Sequence, residues 1–289
     1  MSPRGAILPA AAVSLEVMIH SSPTREDLRA HLLASRIAGN VATTRDNNLE
    51  NFGRMSRREP LYLFGLEPVG RWSFDDVLDL MAKRCGVVAD PEHATGADTI
   101  DVDATIERLE AMAERIGQAA RARERVLVAT GHPYGLQPVH AAVAASLHEA
   151  GATLLTPAAG WRHPAGPYGN QGHELRHVDL VAMLGDAGVS GNRGLHHTHS
   201  PEPMRAMLAA LADAGEAPPD LVVADHGWAG AAGQAGIDSV GFADCNDPAL
   251  FVGEAEGKVT VCVPLDDNVA PHLYDPLIAY LLGCAGMTA

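Results

Sequence analysis

The sequence predicts an α/β protein: a mostly parallel, doubly wound sheet over about residues 125–283, with an inserted β-hairpin and a helical N-terminal region. Three observations carry that expectation. From Arg125 onward, short apolar runs alternate with helical stretches, the pattern of βαβ units whose sheet is covered on both faces. The helices there are punctuated; PVHAAVAASLHEAG (138–151) opens on proline and closes on glycine. The first 120 residues instead show longer helical periods with capping signals.

Each element follows from its residues. MSPRGAILPAAAVSLEVMIH has the outline of a signal peptide, but Pro9 and Glu16 interrupt it and Arg4 is its one basic residue, so it reads as an ordinary start. PTREDLRAHLLASRIAG (23–39) is a helix with Thr24 as N-cap, and SFDDVLDLMAKRCG (73–86) is a helix that begins Ser-x-x-Asp and ends on Gly86. DVDATIERLEAMAERIGQAARAR (101–123) is a long amphipathic helix. Between the first two, residues 40–60 are polar and rich in amides, which suits either a surface loop or a ligand-facing one. RVLVAT (125–130), TLLTP (153–157), DLVVADHG (220–227), GIDSVGFADCND (236–247) and KVTVCVPLDDN (258–268) contain the strands. ELRHVDLVAML (174–184) is a strand that the glycine-rich GDAGVSGNRG turns into a hairpin, with LHHTHS (195–200) returning. Alternation along that strand puts His197 and His199 on one face and His196 on the other. The chain thus divides into a helical region, 1–120, packed on an α/β domain, 121–289, or forms one continuous domain.

Composition narrows the function. A net charge of −15 argues against nucleic acid, whose phosphates need a basic footprint. No apolar run reaches the roughly 18 residues of a membrane span. Cys85, Cys245, Cys262 and Cys284 are scattered without a CxxC pair, which suits a reducing cytoplasm and argues against a zinc ribbon. From Ala206 to the end Lys258 is the one basic residue, whereas Arg25–Arg71 carries eight arginines.

Ligands of parallel α/β sheets bind outside the carboxyl ends of the strands, so the residues following each strand are informative. They are Gly131-His132-Pro133-Tyr134, Asp225-His226-Gly227, Asp244-Cys245-Asn246-Asp247 and Asp266-Asp267-Asn268. Taken singly, each Asp or Asn reads as a helix cap or turn residue, and Asp247 before Pro248 reads as an N-cap. Together they make a group of carboxylates that needs a hard cation, or an arginine such as Arg45, to neutralise it. GWAGAAG (227–233) has the wrong spacing for a dinucleotide fingerprint, and no P-loop or G-x-S-x-G elbow occurs, so no nucleotide cofactor is expected.

RVLVATGHPYGL, LHHTHSPEPM, DLVVADHGWAGAAGQAGIDSVGFADCNDPAL and VPLDDNVAPHLYDPL resemble a family of actinobacterial phosphatases, over roughly residues 125–283. The Thr44–Asn48 loop, TRDNN, extends the likeness toward the N-terminus. The resemblance implies phosphoester hydrolysis on an α/β fold and leaves the catalytic residues to be found from chemistry. The expected site has Asp225, with Asp266 or Asp244, holding a Mg²⁺-like ion, with another divalent metal left open because the His197-x-His199 spacing also suits zinc or another transition metal. His197 and His199 face the phosphate or the ion, and His226 or His132 acts as acid or base. Arg45, Asn47, Asn48, Asn246 and Asn268 contact the phosphate or a sugar-like hydroxyl. The expected partner is a small phosphorylated molecule, a sugar phosphate or nucleotide-like ester. A non-hydrolytic phosphosugar-binding protein or isomerase is the alternative; several carboxylates at strand ends favour the enzyme.

Overall fold

The computed structural model describes residues 22–287, and the N-terminal stretch read as an ordinary start lies outside them. Helix α1 (Arg25–Ser35) starts in a reciprocal capping box between Thr24 and Asp27. Strand β1 (Gly39–Thr44) then leads directly into α2 (Arg45–Ser56), and α3 (Phe74–Arg84) opens on a second capping box, Ser73 with Asp76. Strand β2 (Ala97–Ile100) pairs antiparallel with β1 as a separate two-stranded ribbon. The long helix α4 (Val102–Ala122) is capped by the Asp101 side chain and buries the stripe Ile106, Leu109, Ala113 and Ile116.

The main sheet begins at β3 (Arg125–Ala129), followed by α5 (Gln137–Glu149) and the short β4 (Thr153–Leu154). Next come β5 (Glu174–Val178), β6 (Val181–Gly185), β7 (Leu195–His196) and α6 (Glu202–Asp213). The chain finishes through β8 (Leu221–Asp225), α7 (His226–Gln234), β9 (Asp238–Ala243), α8 (Pro248–Ala255), β10 (Val261–Pro264) and α9 (Asp275–Cys284). This is a mixed α/β fold with a mostly parallel eight-stranded sheet, in the order β10-β9-β8-β3-β6-β5. Strand β4 extends it beside the start of β3, and β7 beside the end of β6. Strands β3, β8, β9 and β10 are parallel and wholly apolar along most of their length, as strands buried on both faces require. Helices α4, α5 and α9 pack on one another, and α6, α7 and α8 form a second group, against which α2 and α3 also rest.

Three expectations are corrected here. Residues 40–60 are not an open loop: β1 and α2 occupy most of them, because Phe52 and Met55 give the segment a buried face despite its polarity. The stretch 174–184 is two strands, not one. Asp179 and Leu180 both take the left-handed conformation, at φ 50° and 66°, and form a tight turn between β5 and β6. The partner of β6 at its far end is also shorter than LHHTHS, since β7 stops at His196. The backbone after it runs across the end of β3, where Thr198 N donates to Gly131 O at 2.8 Å.

Candidate active site

The carboxyl ends of β3, β8, β9 and β10 converge on a cavity of about 300 Å³. It is lined by His132, His197, His199, His226, Asp244, Asp247 and Asp267, with Thr43, Asn246 and Asn268. Close backbone approach builds it. A Cβ on Gly131 would strike the Thr198 carbonyl, and one on Gly227 the His199 carbonyl, so these two glycines let the 197–199 segment lie over the strand ends.

His226 is the pivot. It occupies the first position of α7 with φ 45°, a conformation that costs a non-glycine residue energy and so marks a position fixed by its surroundings. Its Nδ1 lies 2.9 Å from Asp225 Oδ1, and its Nε2 is 3.4 Å from both Asp247 Oδ2 and Asp267 Oδ2. Burial disfavours a charged ring, but the carboxylates of Asp225 and Asp247 outweigh it and raise the His226 pKa well above the usual imidazole range. Burial is also the largest influence on His199 and His197; with neighbouring imidazoles it pushes His199 far down and His197 to about 4, so both are neutral near pH 7. The rings pack closely: His199 on His226 at 4.8 Å between centroids, and His132 on His197 at 4.7 Å.

The carboxylates differ in role. Asp225 is fully buried, and its oxygens are already taken. Oδ1 accepts from Gly131 N at 2.6 Å and faces His226; Oδ2 accepts from the Thr130 hydroxyl, with His140 Nε2 3.8 Å away. Burial would raise its pKa, yet these partners, His226 foremost, hold it below the usual carboxylate range. Asp266 accepts from Ala42 N at 3.2 Å and Asn268 N at 3.0 Å, tying β1 to the turn after β10. Asp244 accepts from the Thr43 hydroxyl at 2.5 Å and from Cys245 N. Burial, then the charges of Asp267 and Asp266, push the Asp244 pKa well up. Asp267 Oδ2 is different: it is buried and ion-paired with His132 Nδ1 at 3.1 Å, with His226 Nε2 at 3.4 Å, though neither N–H is well aligned on it. Burial opposes charge on both groups, yet the pair raises the His132 pKa and holds that of Asp267 down.

Three sets of donor atoms within ion-binding reach overlap here: His132, His197 and His226; His226, Asp247 and Asp267; Asp244, Asp266 and Asp267. The structure thus brings His132, His197, His199, His226, Asp244, Asn246 and Asn268 together as expected neighbours. Asp225 belongs behind the site, not among ion ligands. Asp247, expected to be a cap, makes no side-chain cap bond and points its carboxylate at His226.

The Arg45 expectation is overturned. Arg45 is fully buried and donates through Nη1 to Asp98 Oδ2 at 2.8 Å, and through Nε and Nη2 to the His93 and Asp90 carbonyls. Asn48 joins the same Asp98 oxygen at 2.8 Å, so it too is structural. Asn47 sits one layer out, its Oδ1 accepting from Asn246 Nδ2 at 2.8 Å. The sequence places Asp247 and Asp267 among the strand-end carboxylates but as cap or turn residues, not as site ligands, and gives no sign of Thr43. The DD pair after β10 was the available signal, but neighbouring residues there point to different sides and only packing decides which faces the cavity. His196 lies apart, its Nε2 donating to Asp186 Oδ1 at 2.7 Å and its ring stacked on His173 at 3.7 Å.

Imidazoles and carboxylates gathered at the strand ends of an α/β sheet, with His132, His226, Asp247 and Asp267 buried among them, make a candidate active site. The chain belongs to the Phosphatase family, whose model matches residues 23–289. It is 49% identical over 271 residues to Phosphatase SCO2771 of Streptomyces coelicolor, a match covering 93% of this chain and 99% of that protein. The chain is accordingly a phosphatase, a hydrolase acting on a phosphorylated substrate. Among the described residues no helix is long and apolar enough to cross a membrane.

Proposed function

We propose that the chain hydrolyses a small phosphomonoester, a sugar phosphate or nucleotide-like ester, with a divalent cation held by His226, Asp247 and Asp267. The observation that carries this reading is the Asp267 Oδ2 atom, buried beside two imidazoles without a hydrogen bond. A buried carboxylate there needs positive charge beside it: His132 and His226 supply it when protonated, and a divalent cation held at the same place would supply it more strongly. His226 fits the same role, because Asp225 engages its Nδ1 and leaves Nε2 for the ion, the usual carboxylate–histidine–metal relay. The carboxylates that favour a proton on His226 equally favour a metal in its place. Imidazole in the donor set favours a transition metal such as Fe²⁺ or Zn²⁺ among the divalent ions that the sequence leaves open beside Mg²⁺. Such an ion, when bound, would neutralise phosphoryl oxygens and lower the pKa of a water.

The chain's own groups supply the rest. No arginine or lysine lines the cavity among the described residues, so charge neutralisation is not delegated to one. As water oxygen bonds to phosphorus and the ester P–O bond breaks, the water proton passes to His197 or His199, both neutral and facing the cavity. The departing alcohol oxygen takes its proton from His132, which borders both this cavity and the adjoining groove. The four thiols are free, which fits a reducing cytoplasm as the setting. Phosphate release from a panel of phosphomonoesters tests the site: Asp267→Asn is expected to lose at least about 100-fold in kcat/KM with the fold retained, roughly the loss of one electrostatic stabiliser. Undiminished turnover in that variant would remove the cluster from the reaction.

A further inference from the structure

A groove of about 500 Å³ adjoins the cavity, and the stacked rings of His132 and His197 form the wall the two share. Its remaining lining includes Pro133, Tyr134, Gln137, Asn192 and Leu195. Tyr134 is 66% exposed, one of few large apolar side chains left in solvent, and it follows His132 by two residues. An aromatic ring left exposed beside a reactive centre is a stacking surface in search of a partner. Asn192 adds an amide that both donates and accepts, and Gln137, whose Nε2 already donates to Asp179 Oδ2 at 3.3 Å, keeps its carbonyl oxygen as an acceptor.

The far wall is built, not loose. The Arg176 guanidinium donates to the carbonyls of Val189, Gly191, Arg193 and Gly194, which shapes the 186–194 loop that presents Asn192. Asp186 N bonds Gly194 O at 2.8 Å and closes the loop's base. That arrangement also turns Arg176 inward, and no cationic side chain other than histidine lines the groove. A second phosphate or a carboxylate on the substrate would therefore go unpaired there.

We infer that this groove holds the alcohol part of the substrate, and that the substrate class is a monophosphate ester of a neutral, ring-bearing alcohol whose ring stacks on Tyr134 while Gln137 and Asn192 bond its polar edge. This rests on the phosphomonoesterase reading above. The smaller cavity on the other side of His197, about 230 Å³, is lined by Leu61, Tyr62 and Tyr168, but both tyrosine hydroxyls are engaged, by Arg54 and by the Pro60 carbonyl.

The test compares adenosine 5′-monophosphate with glycerol 2-phosphate, which carries the same phosphate and no ring. Tyr134→Ala is expected to lower the ratio of their kcat/KM values about tenfold, the effect of losing one base–aromatic stack. Tyr62→Ala is expected to leave that ratio unchanged. Binding of adenosine itself, followed by calorimetry, should weaken in Tyr134→Ala by a similar factor, a readout that needs no turnover. If the wild-type chain hydrolyses both esters but the ratio and adenosine binding are indifferent to Tyr134, or respond to Tyr62 instead, the groove assignment is wrong. If it hydrolyses no phosphomonoester yet adenosine binding still depends on Tyr134, the groove assignment stands and the reaction assignment falls.

Discussion

At the scale of single residues, the site is organised by side chains behind it as much as by those facing it. Asp225 fixes the His226 ring through Nδ1 and is itself fixed by Thr130 and Gly131. Asp225→Asn should therefore lower kcat/KM by about 10–100-fold and weaken metal affinity, the range for loss of a supporting carboxylate. An unchanged metal affinity would show that His226 does not depend on it. Arg45 has the opposite character. Arg45→Met leaves Asp98 buried without its guanidinium partner and should cost about 3–5 kcal/mol in urea denaturation, with KM unchanged in the folded fraction. A raised KM would return Arg45 to substrate binding. The residue types at the four strand ends were legible because a parallel sheet puts its ligands there. Their division of labour was not, since Asp266 and Asp267 differ only in which side of one turn they face.

The helices and strands repeat this pattern. Periodicity and punctuation located β3, β8, β9, β10 and the helices between them, where burial on both faces leaves long apolar runs. The turn between β5 and β6 escaped notice because Leu180 adopts a left-handed conformation that sequence preference assigns to glycine or asparagine. Helix α2 escaped because its buried side includes Arg45, Asn48 and Asn51, polar residues satisfied only by distant partners. One polar strap has a pH signature. Glu256, just after α8, accepts from Val69 N, Gly70 N and Trp72 Nε1, each at 2.9 Å. Burial would raise its pKa, but these bonds and Lys258 lower it from 4.5 to about 2. A depressed folded-state pKa means the strap stabilises fully above about pH 4.5 and fades as pH falls toward 2. Comparing wild type with Glu256→Gln by thermal melts, the gap in Tm should be widest near pH 7 and shrink between pH 4.5 and 2. A gap constant across that window contradicts the assignment.

Across the whole molecule, the uneven charge noted in the sequence resolves into two populations. Peripheral acids of the C-terminal half find arginines: Arg108 and Arg84 meet Glu254, Arg115 meets Asp238, and Arg125 meets Glu216. Of the acids at the strand ends, Asp225, Asp247 and Asp267 lie against histidines, whereas Asp244 and Asp266 meet only a hydroxyl and backbone amides, Thr43 of the β1–β2 ribbon among them. A chain at −15 that keeps its arginines away from its most crowded carboxylates leaves that place for a cation. The most direct measurement is metal content paired with turnover. Elemental analysis of the purified chain should find bound divalent metal, reduced in Asp267→Asn, and exhaustive chelation should abolish phosphate release until Mn²⁺, Fe²⁺ or Zn²⁺ is returned. Full phosphate release from demonstrably metal-free protein would contradict the account.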